Sequence, residues 1–363
     1  MALRERKGRE AWRHIKMRSG ISKNKLGCCL LISSSSGKEA FTEAEKVKVA
    51  SEHCYKLFIN DAKMLEIRNT KKVINQILNF AITGRREPKR ARKKECTDAE
   101  NNEENKRSLA QTKRNKAASK DGLPTEVYKT AGKDQSGRSE LAKALVTFFN
   151  EIFDSGYVPI EWRSNVIVPI FKKGDPKDLN NYRGITLINT LSKVFMKILA
   201  NRLLASHHTE RLVGRHQIGF MPGIKGPSAV MSLIEITQKR SREDKETWSA
   251  FLDLRKAYDM VPNDLLLEKV KAKQVGPKFL YMVRGVYKST QGCVRIGETV
   301  EDPFDIERGV RQGCPLSPIL FDIFIDDLLD KMTPLSIPGI KESKFKGMLF
   351  ADDTLLVADS HED

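Results

Sequence analysis

The chain is 363 residues long, a length that suits about two domains and can bury a sizeable core. Its 64 Lys and Arg against 47 Asp and Glu leave a formal net charge of +17, which argues for a polyanionic partner, nucleic acid first among them. Six cysteines without C-x-x-C spacing and six scattered histidines exclude a zinc-ligand pattern and a disulfide framework; no apolar run is long enough for a bilayer and no signal peptide opens the chain. The expectation is an intracellular protein with reduced thiols and no membrane partner.

Residues 1–114 read as a basic, partly disordered N-terminal extension with some helix. "SSSSG" (33–37) is a flexible break, and "TEAE" from Thr42 resembles a capping box that opens a helical stretch. "RREPKRARKK" (85–94), with seven basic residues in ten, reads as a solvated linker, with a nuclear-import signal or an RNA-contacting arm as the competing readings.

Order is expected from about Lys116. "SELAKALVTFFNEIFDSG" has apolar residues at helical spacing and closes on Gly156. "WRSNVIVPIF" reads as a strand whose β-branched run ends at Pro169, and "KKGDPKDLNNYR" as a turn-rich loop. "INTLSKVFMKILANRLL" is a helix, "TWSAFLDL" a strand, and "RKAYDMVPNDLLLEKVKAKQVG" a helix with a proline near its start. "GCVRIGETVEDPFDIERGV" suggests a hairpin and "PLSPILFDIFIDDLLDKM" an amphipathic helix, before "GMLF" and "TLLVA" flank a final turn. Helices and strands mix without strict alternation, so the class is α+β.

Three aspartates stand at strand ends about a hundred residues apart: Asp253 closes "AFLDL", and Asp352 and Asp353 occupy the last turn. Converging carboxylates of this kind are what two-metal phosphoryl transfer requires. Mg²⁺ takes few protein carboxylates and completes its octahedron with water and phosphate. The bland reading is a surface hairpin with a polar tip, since Asp favours turns. A second acidic run, "FIDDLL", falls in a helix with Asp322, Asp326 and Asp330 four apart, and is expected to be a solvated face.

In that order, "FLDLRKAYDMV", "GVRQGCPLSPILF" and "LFADDTLL" resemble successive palm motifs of the reverse transcriptases of non-LTR (LINE-type) retrotransposons, and "GYVPIEWRSNVIVPIFKKGDPKDLNNYRGITLINTLSKVFMKIL" reinforces the likeness upstream. The resemblance spans about residues 115–363 and implies a right-hand polymerase, with fingers about 115–245 and an incomplete palm about 246–363. It implies an RNA-directed DNA polymerase that adds deoxynucleotides (dNTPs) to a DNA primer on an RNA template. It also implies that Asp253, Asp352 and Asp353 hold two Mg²⁺ ions, with Mn²⁺ able to substitute. Tyr258 matches the aromatic gate that leaves no room for a 2′-hydroxyl; the competing reading is a core aromatic. Gln312 and Gly313 match the nucleotide-pocket loop, Arg183 a triphosphate-binding arginine, and Lys172 or Lys173 its lysine partner; loop solubility competes for each of these cations.

Two departures stand out. Met221 and "GIKGPS" replace an arginine and a Gly-Arg-Ser-Thr-like run, and "KAASKDGLP" lacks a glycine before its Asp-Gly pair. The resemblance further implies that the thumb and the last palm strands are absent, so the chain is expected to be a truncated fragment that extends primers poorly. A catalytically inert, nucleic-acid-binding remnant is the alternative, and a metal-dependent nuclease is more distant because "RQGCPLSP" and Tyr258 would have no task in it.

Overall fold

A computed structural model describes residues 32–33, 39–58, 102–112, 122–133, 139–206, 212–221, 226–340, 343 and 345–360. The basic run 85–94 and the expected start of order at Lys116 lie outside these residues.

Strands β1 (Ile32–Ser33) and β2 (Glu39–Ala40) form a small ribbon ahead of α1 (Glu43–Phe58). The capping box forms as expected: the Glu45 N–H donates to Thr42 Oγ1, while the Glu45 carboxylate accepts from the N–H groups of Thr42 and Phe41. Those backbone bonds, Thr42 first, hold the Glu45 carboxyl below its ordinary value. Val47, Ala50, Cys54 and Phe58 form the apolar face of α1 and pack with Ile167, Val294, Ile296 and Phe304.

Helices α2 (Asn102–Gln111), α3 (Thr125–Lys133) and α4 (Glu140–Ser155) follow. α4 is capped by Ser139, whose hydroxyl accepts from the Ala142 N–H, and by Gly156 in the left-handed region at φ 66°. α2 is mostly polar, yet Leu109 is fully buried in the main core and Glu104 takes a two-pronged hydrogen bond from Arg202 at 2.8 Å. So α1 and α2, which precede the expected boundary at 115, both pack onto the ordered body.

β3 (Ser164–Phe171) runs past Pro169 and pairs antiparallel with β4 (Tyr182–Leu187), a strand lying partly within the expected loop. Proline is tolerated there because the other neighbour, β6, pairs with β3 only over residues 164–167, leaving no ladder acceptor for the missing N–H. After α5 (Thr190–Ser206) and α6 (Gly226–Ser241), β5 (Trp248–Asp253) leads into a 3₁₀ turn at Ala257–Met260 and then α7 (Asn263–Ala272). The single helix expected here is broken because the residue before Pro262 is steered out of the helical region: Val261 lies at φ −67°, ψ 116°. α8 (Pro277–Tyr287) has no counterpart in the sequence reading.

β6 (Thr290–Ile296), β7 (Thr299–Val300) and β8 (Phe304–Ile306) form the expected hairpin region, and β6 also joins β3 in parallel. α9 (Ser317–Ile325) continues into a 3₁₀ turn at Asp326–Leu329. β9 (Gly347–Phe350) and β10 (Asp353–Ala358) close the described chain. The result is a five-stranded mixed sheet (order β4-β3-β6-β7, with β8 also on β6) and a three-stranded antiparallel sheet (β5-β10-β9). The main core is led by Phe149, Phe153, Trp162, Phe195 and Phe321. The class is α+β, as expected. Among the described residues no helix is long and apolar enough to cross a membrane.

Candidate active site

β9 and β10 are joined by a two-residue turn, Ala351–Asp352, and Ala351 sits at φ 56°, buried. Segment 216–219 braces this turn: the Ile218 N–H donates to Leu349 O at 2.8 Å and the Leu349 N–H to His216 O at 2.9 Å. Gly219 is required for this approach, because a Cβ there would fall 2.5 Å from the Ala351 nitrogen.

The bracing fixes a register in which Asp353 lies directly opposite Asp253, and the Leu254 N–H reaches Asp352 O at 3.4 Å. Strand alternation puts Asp253 and Asp353 on one face with the exposed rings of Phe251 and Phe350. The Asp253, Asp352 and Asp353 side chains have no hydrogen-bond or ion-pair partner among the described residues. Like charges directly opposite on paired strands are destabilising, and a cation between them reverses the sign of that interaction. The donor set therefore suits a hard divalent ion, although among the described residues no three acidic, His or Cys side chains form a ready-made ligand group.

The second wall comes from the five-stranded sheet and the loop before α9. Arg183 on β4 donates from Nε to Gln312 Oε1 at 3.2 Å, and Gln312 Nε2 donates to Asp259 Oδ1 at 2.5 Å. Gln312 thus bridges β4 to the 3₁₀ turn that carries Tyr258. Gly313 lies at φ 99°, where its missing Cβ would stand 3.1 Å from Thr186 O. Lys172 and Lys173 are exposed in the loop after β3, where the Lys172 N–H continues the ladder to Asn181 O.

The Tyr258 ring stacks on Phe321 with centroids 4.4 Å apart and planes 16° from parallel. Burial raises its hydroxyl pKa strongly, the charges of Asp322 and Asp352 add to that, and Arg183 opposes it. Two residues missed in the sequence reading complete the cluster. Burial raises the Asp259 carboxyl, while the Gln312 hydrogen bond and the charges of Lys256 and Arg183 pull it back. Lys256, at φ 52°, reaches His53 on α1 and Asn180, both at 3.3 Å, and burial lowers its ammonium. Their place beside Tyr258 in "RKAYD" was the available signal.

The acids around α9 do not form a solvated face. Asp322 is fully buried, and burial, with the charge of Asp326 behind it, raises its carboxyl to about 8. Burial alone would raise Asp326 too, but hydrogen bonds from His216, Lys273 and the Gly214 N–H hold it down at about 2. Only Asp327 and Asp330 keep the expected exposure. The helix is apolar almost all round, so it sits inside rather than on the surface.

Residues 170–363 match the family described as reverse transcriptase (RNA-dependent DNA polymerase). Among curated proteins, the chain is 28% identical over 218 residues to the RNA-directed DNA polymerase from mobile element jockey of Drosophila melanogaster, covering 60% of this chain and 23% of that protein. It is 31% identical over 188 residues to the probable RNA-directed DNA polymerase from transposon BS of the same fly, covering 51% and 20%. It is 30% identical over 214 residues to the retrovirus-related Pol polyprotein from type-1 retrotransposable element R2 of Popillia japonica, covering 56% and 29%. The chain thus spans less than a third of each of these relatives.

Proposed function

The chain belongs to the reverse transcriptase (RNA-dependent DNA polymerase) family, and from that premise we propose that its two facing walls carry out template-directed addition of deoxynucleotides to a primer 3′-hydroxyl, with RNA as template, in a non-LTR retrotransposon. The observation that carries the reading is the register that sets Asp253 opposite Asp353, with Asp352 in the adjoining turn. In this proposal the three carboxylates hold two Mg²⁺ ions, with Mn²⁺ able to substitute. The ions would supply stabilisation of the attacking and leaving oxygens.

The chain's own residues do the remaining work. Arg183 and a loop lysine neutralise the triphosphate, whose charge must be balanced as pyrophosphate leaves. Strand alternation favours Lys172 for this role: Ile170 faces Arg183 across the ladder, so residue 172 shares that side while Lys173 points away. Gln312, tied to Arg183, and Gly313 shape the pocket floor, where absence of a side chain lets a base approach the backbone. The Tyr258 ring, backed by Phe321, stands where a 2′-hydroxyl would collide. The segments before and after residue 245 act as fingers and palm.

The test is extension of an oligo(dT) primer on poly(A) with dTTP and Mg²⁺ or Mn²⁺, beside Asp352→Ala. Weak, metal-dependent extension that is lost in the variant is the expected result. Extension equal in both proteins, or absence of extension together with absence of Mn²⁺-dependent dNTP binding, overturns the proposal.

A further inference from the structure

Asp322 is the fully buried acid of α9, and neither of its carboxyl oxygens has a hydrogen-bond partner. The Tyr258 hydroxyl is likewise buried and without one. Buried polar groups are nearly always satisfied, so two unsatisfied ones in the same neighbourhood call for one explanation. They are complementary, since a phenol offers one donor and a carboxyl accepts. They are also neighbours: Tyr258 lies flat on Phe321, the residue before Asp322, and of all charged side chains Asp322 acts most on the Tyr258 hydroxyl.

Several charged and polar groups of this region are already engaged. Asp326 is bonded to Lys273 and His216, Arg183 to Gln312, and the Tyr258 carbonyl to the Val310 N–H.

We infer that Asp322 is a positioning residue for Tyr258: its carboxyl pairs with the Tyr258 hydroxyl through one bridging water and fixes the ring that gauges the sugar of an incoming nucleotide. Stacking on Phe321 sets the plane of the ring, and the polar tether sets its tilt and depth. A ring held at both points cannot swing aside to admit a 2′-hydroxyl, whereas a ring held by stacking alone can. The functional half of this inference rests on the polymerase reading, and the pairing itself does not.

A double-mutant cycle in urea unfolding of the full chain tests the pairing without any activity, using Tyr258→Phe, Asp322→Leu and both together. A tethered pair predicts a combined unfolding constant that departs from the product of the single effects by about fivefold. Strict additivity, with Asp322→Leu acting alike in Tyr and Phe backgrounds, overturns the pairing. Should Asp322→Leu not fold, 3-fluorotyrosine at position 258 reads the same contact. Its fluorine resonance is expected to move on Asp322→Asn, and an unmoved resonance overturns it.

The functional half is read as the ratio of kcat/KM for deoxy- over ribonucleotides. Tyr258→Phe and Asp322→Leu are each expected to lower the ratio by roughly fivefold, and Asp322→Asn, which keeps an acceptor, to restore most of it. If Tyr258→Ala lowers the ratio while every Asp322 variant leaves it at the wild-type value, the positioning role is wrong and the gate reading survives. If Tyr258→Ala also changes nothing, the gate reading and the functional half fall together, and the cycle still decides the pairing.

Discussion

In β3, Asn165, Val166 and Ile167 are buried and the strand is held between β4 and β6, whereas all six residues of β5 are exposed and β10 supports it on one side only. The larger sheet follows the usual economy of burial, with apolar residues inward under α1. The smaller sheet breaks it twice. Phe251 is 77% exposed and Phe350 49%, while two carboxylates face each other across the strands between them. A surface that gains so little from packing and places like charges in register is shaped by what it binds. Stability and function should therefore separate by region: core substitutions should unfold the protein, and substitutions on the small sheet should silence it while leaving it folded.

The largest effect is expected in the aromatic core. Phe195 is fully buried, with ring centroids 4.9 Å from Phe153 and 5.5 Å from both Phe149 and Trp162. Phe195→Ala removes all three contacts and is expected to cost about 3–5 kcal/mol, measured as a lowered urea midpoint. A loss under about 1 kcal/mol would mean the core collapses around the gap and is far softer than the ring geometry implies.

On the small sheet the order of effects reverses. Asp253→Asn is expected to cut nucleotide addition by roughly 10²–10³-fold, while the unfolding midpoint stays put or rises because an opposed charge pair is gone. Equal losses of activity and stability would erase the contrast between the two regions.

Much of this contrast was legible in the sequence. The β-branched run of β3, the helical periods of α4 and α5, and the aspartates at the ends of β5 and β10 all announced themselves locally. What was not legible depended on partners. β4 alternates little, with only Thr186 buried, so its first two residues read as loop and the rest gave no strand signal until its pairing with β3 was visible. The parallel join of β3 to β6 links segments more than a hundred residues apart and has no local signature. α2 contributes its apolar anchor from an otherwise polar helix. Asp322 was misread because a continuous helical wheel groups it with Asp326 and Asp330. The α-helix ends at Ile325, the turn after it has a different period, and seven of the nine residues of α9 are buried.

That misreading has a consequence in pH. The folded protein keeps Asp322 protonated up to about 8, while the unfolded chain releases the proton near the ordinary carboxyl value of about 4. Between those limits the folded state binds more protons, so the Asp322 contribution to stability falls as pH rises. Asp326 works the other way. Held at about 2, its contribution is complete above about pH 4 and is lost as pH falls toward 2. Asp322→Asn is expected to lessen the fall of the urea midpoint between about pH 4 and 8, with the raised Asp259 and His216 keeping part of it, and to leave the acid limb unchanged. A slope in that window identical to wild type would show that Asp322 is ionised and compensated in the fold.

The smallest effect separates two adjacent lysines that the sequence could not tell apart. Both are exposed and both follow β3, so charge and position along the chain rank them equally. Register does not. Ile170 pairs with Arg183 and Phe171 with Tyr182, and the Lys172 N–H extends the ladder to Asn181. Successive side chains alternate, so Lys172 falls on the side of Arg183 and Lys173 on the opposite side. A charge-assisted contact from an exposed ammonium to a phosphate is a modest term, so Lys172→Ala is expected to raise the KM for dNTP by about tenfold with kcat little changed. Lys173→Ala should stay within about twofold of wild type on both parameters, because a screened surface charge on the far side contributes little. The reverse pattern would mean that the loop bends away from the ladder after Lys172, where Gly174 at φ 95° already turns the chain. Equal effects would mean that the triphosphate meets general basicity rather than one directed cation, and the wall formed by β3 and β4 would then be less specific than the Arg183–Gln312–Asp259 chain makes it.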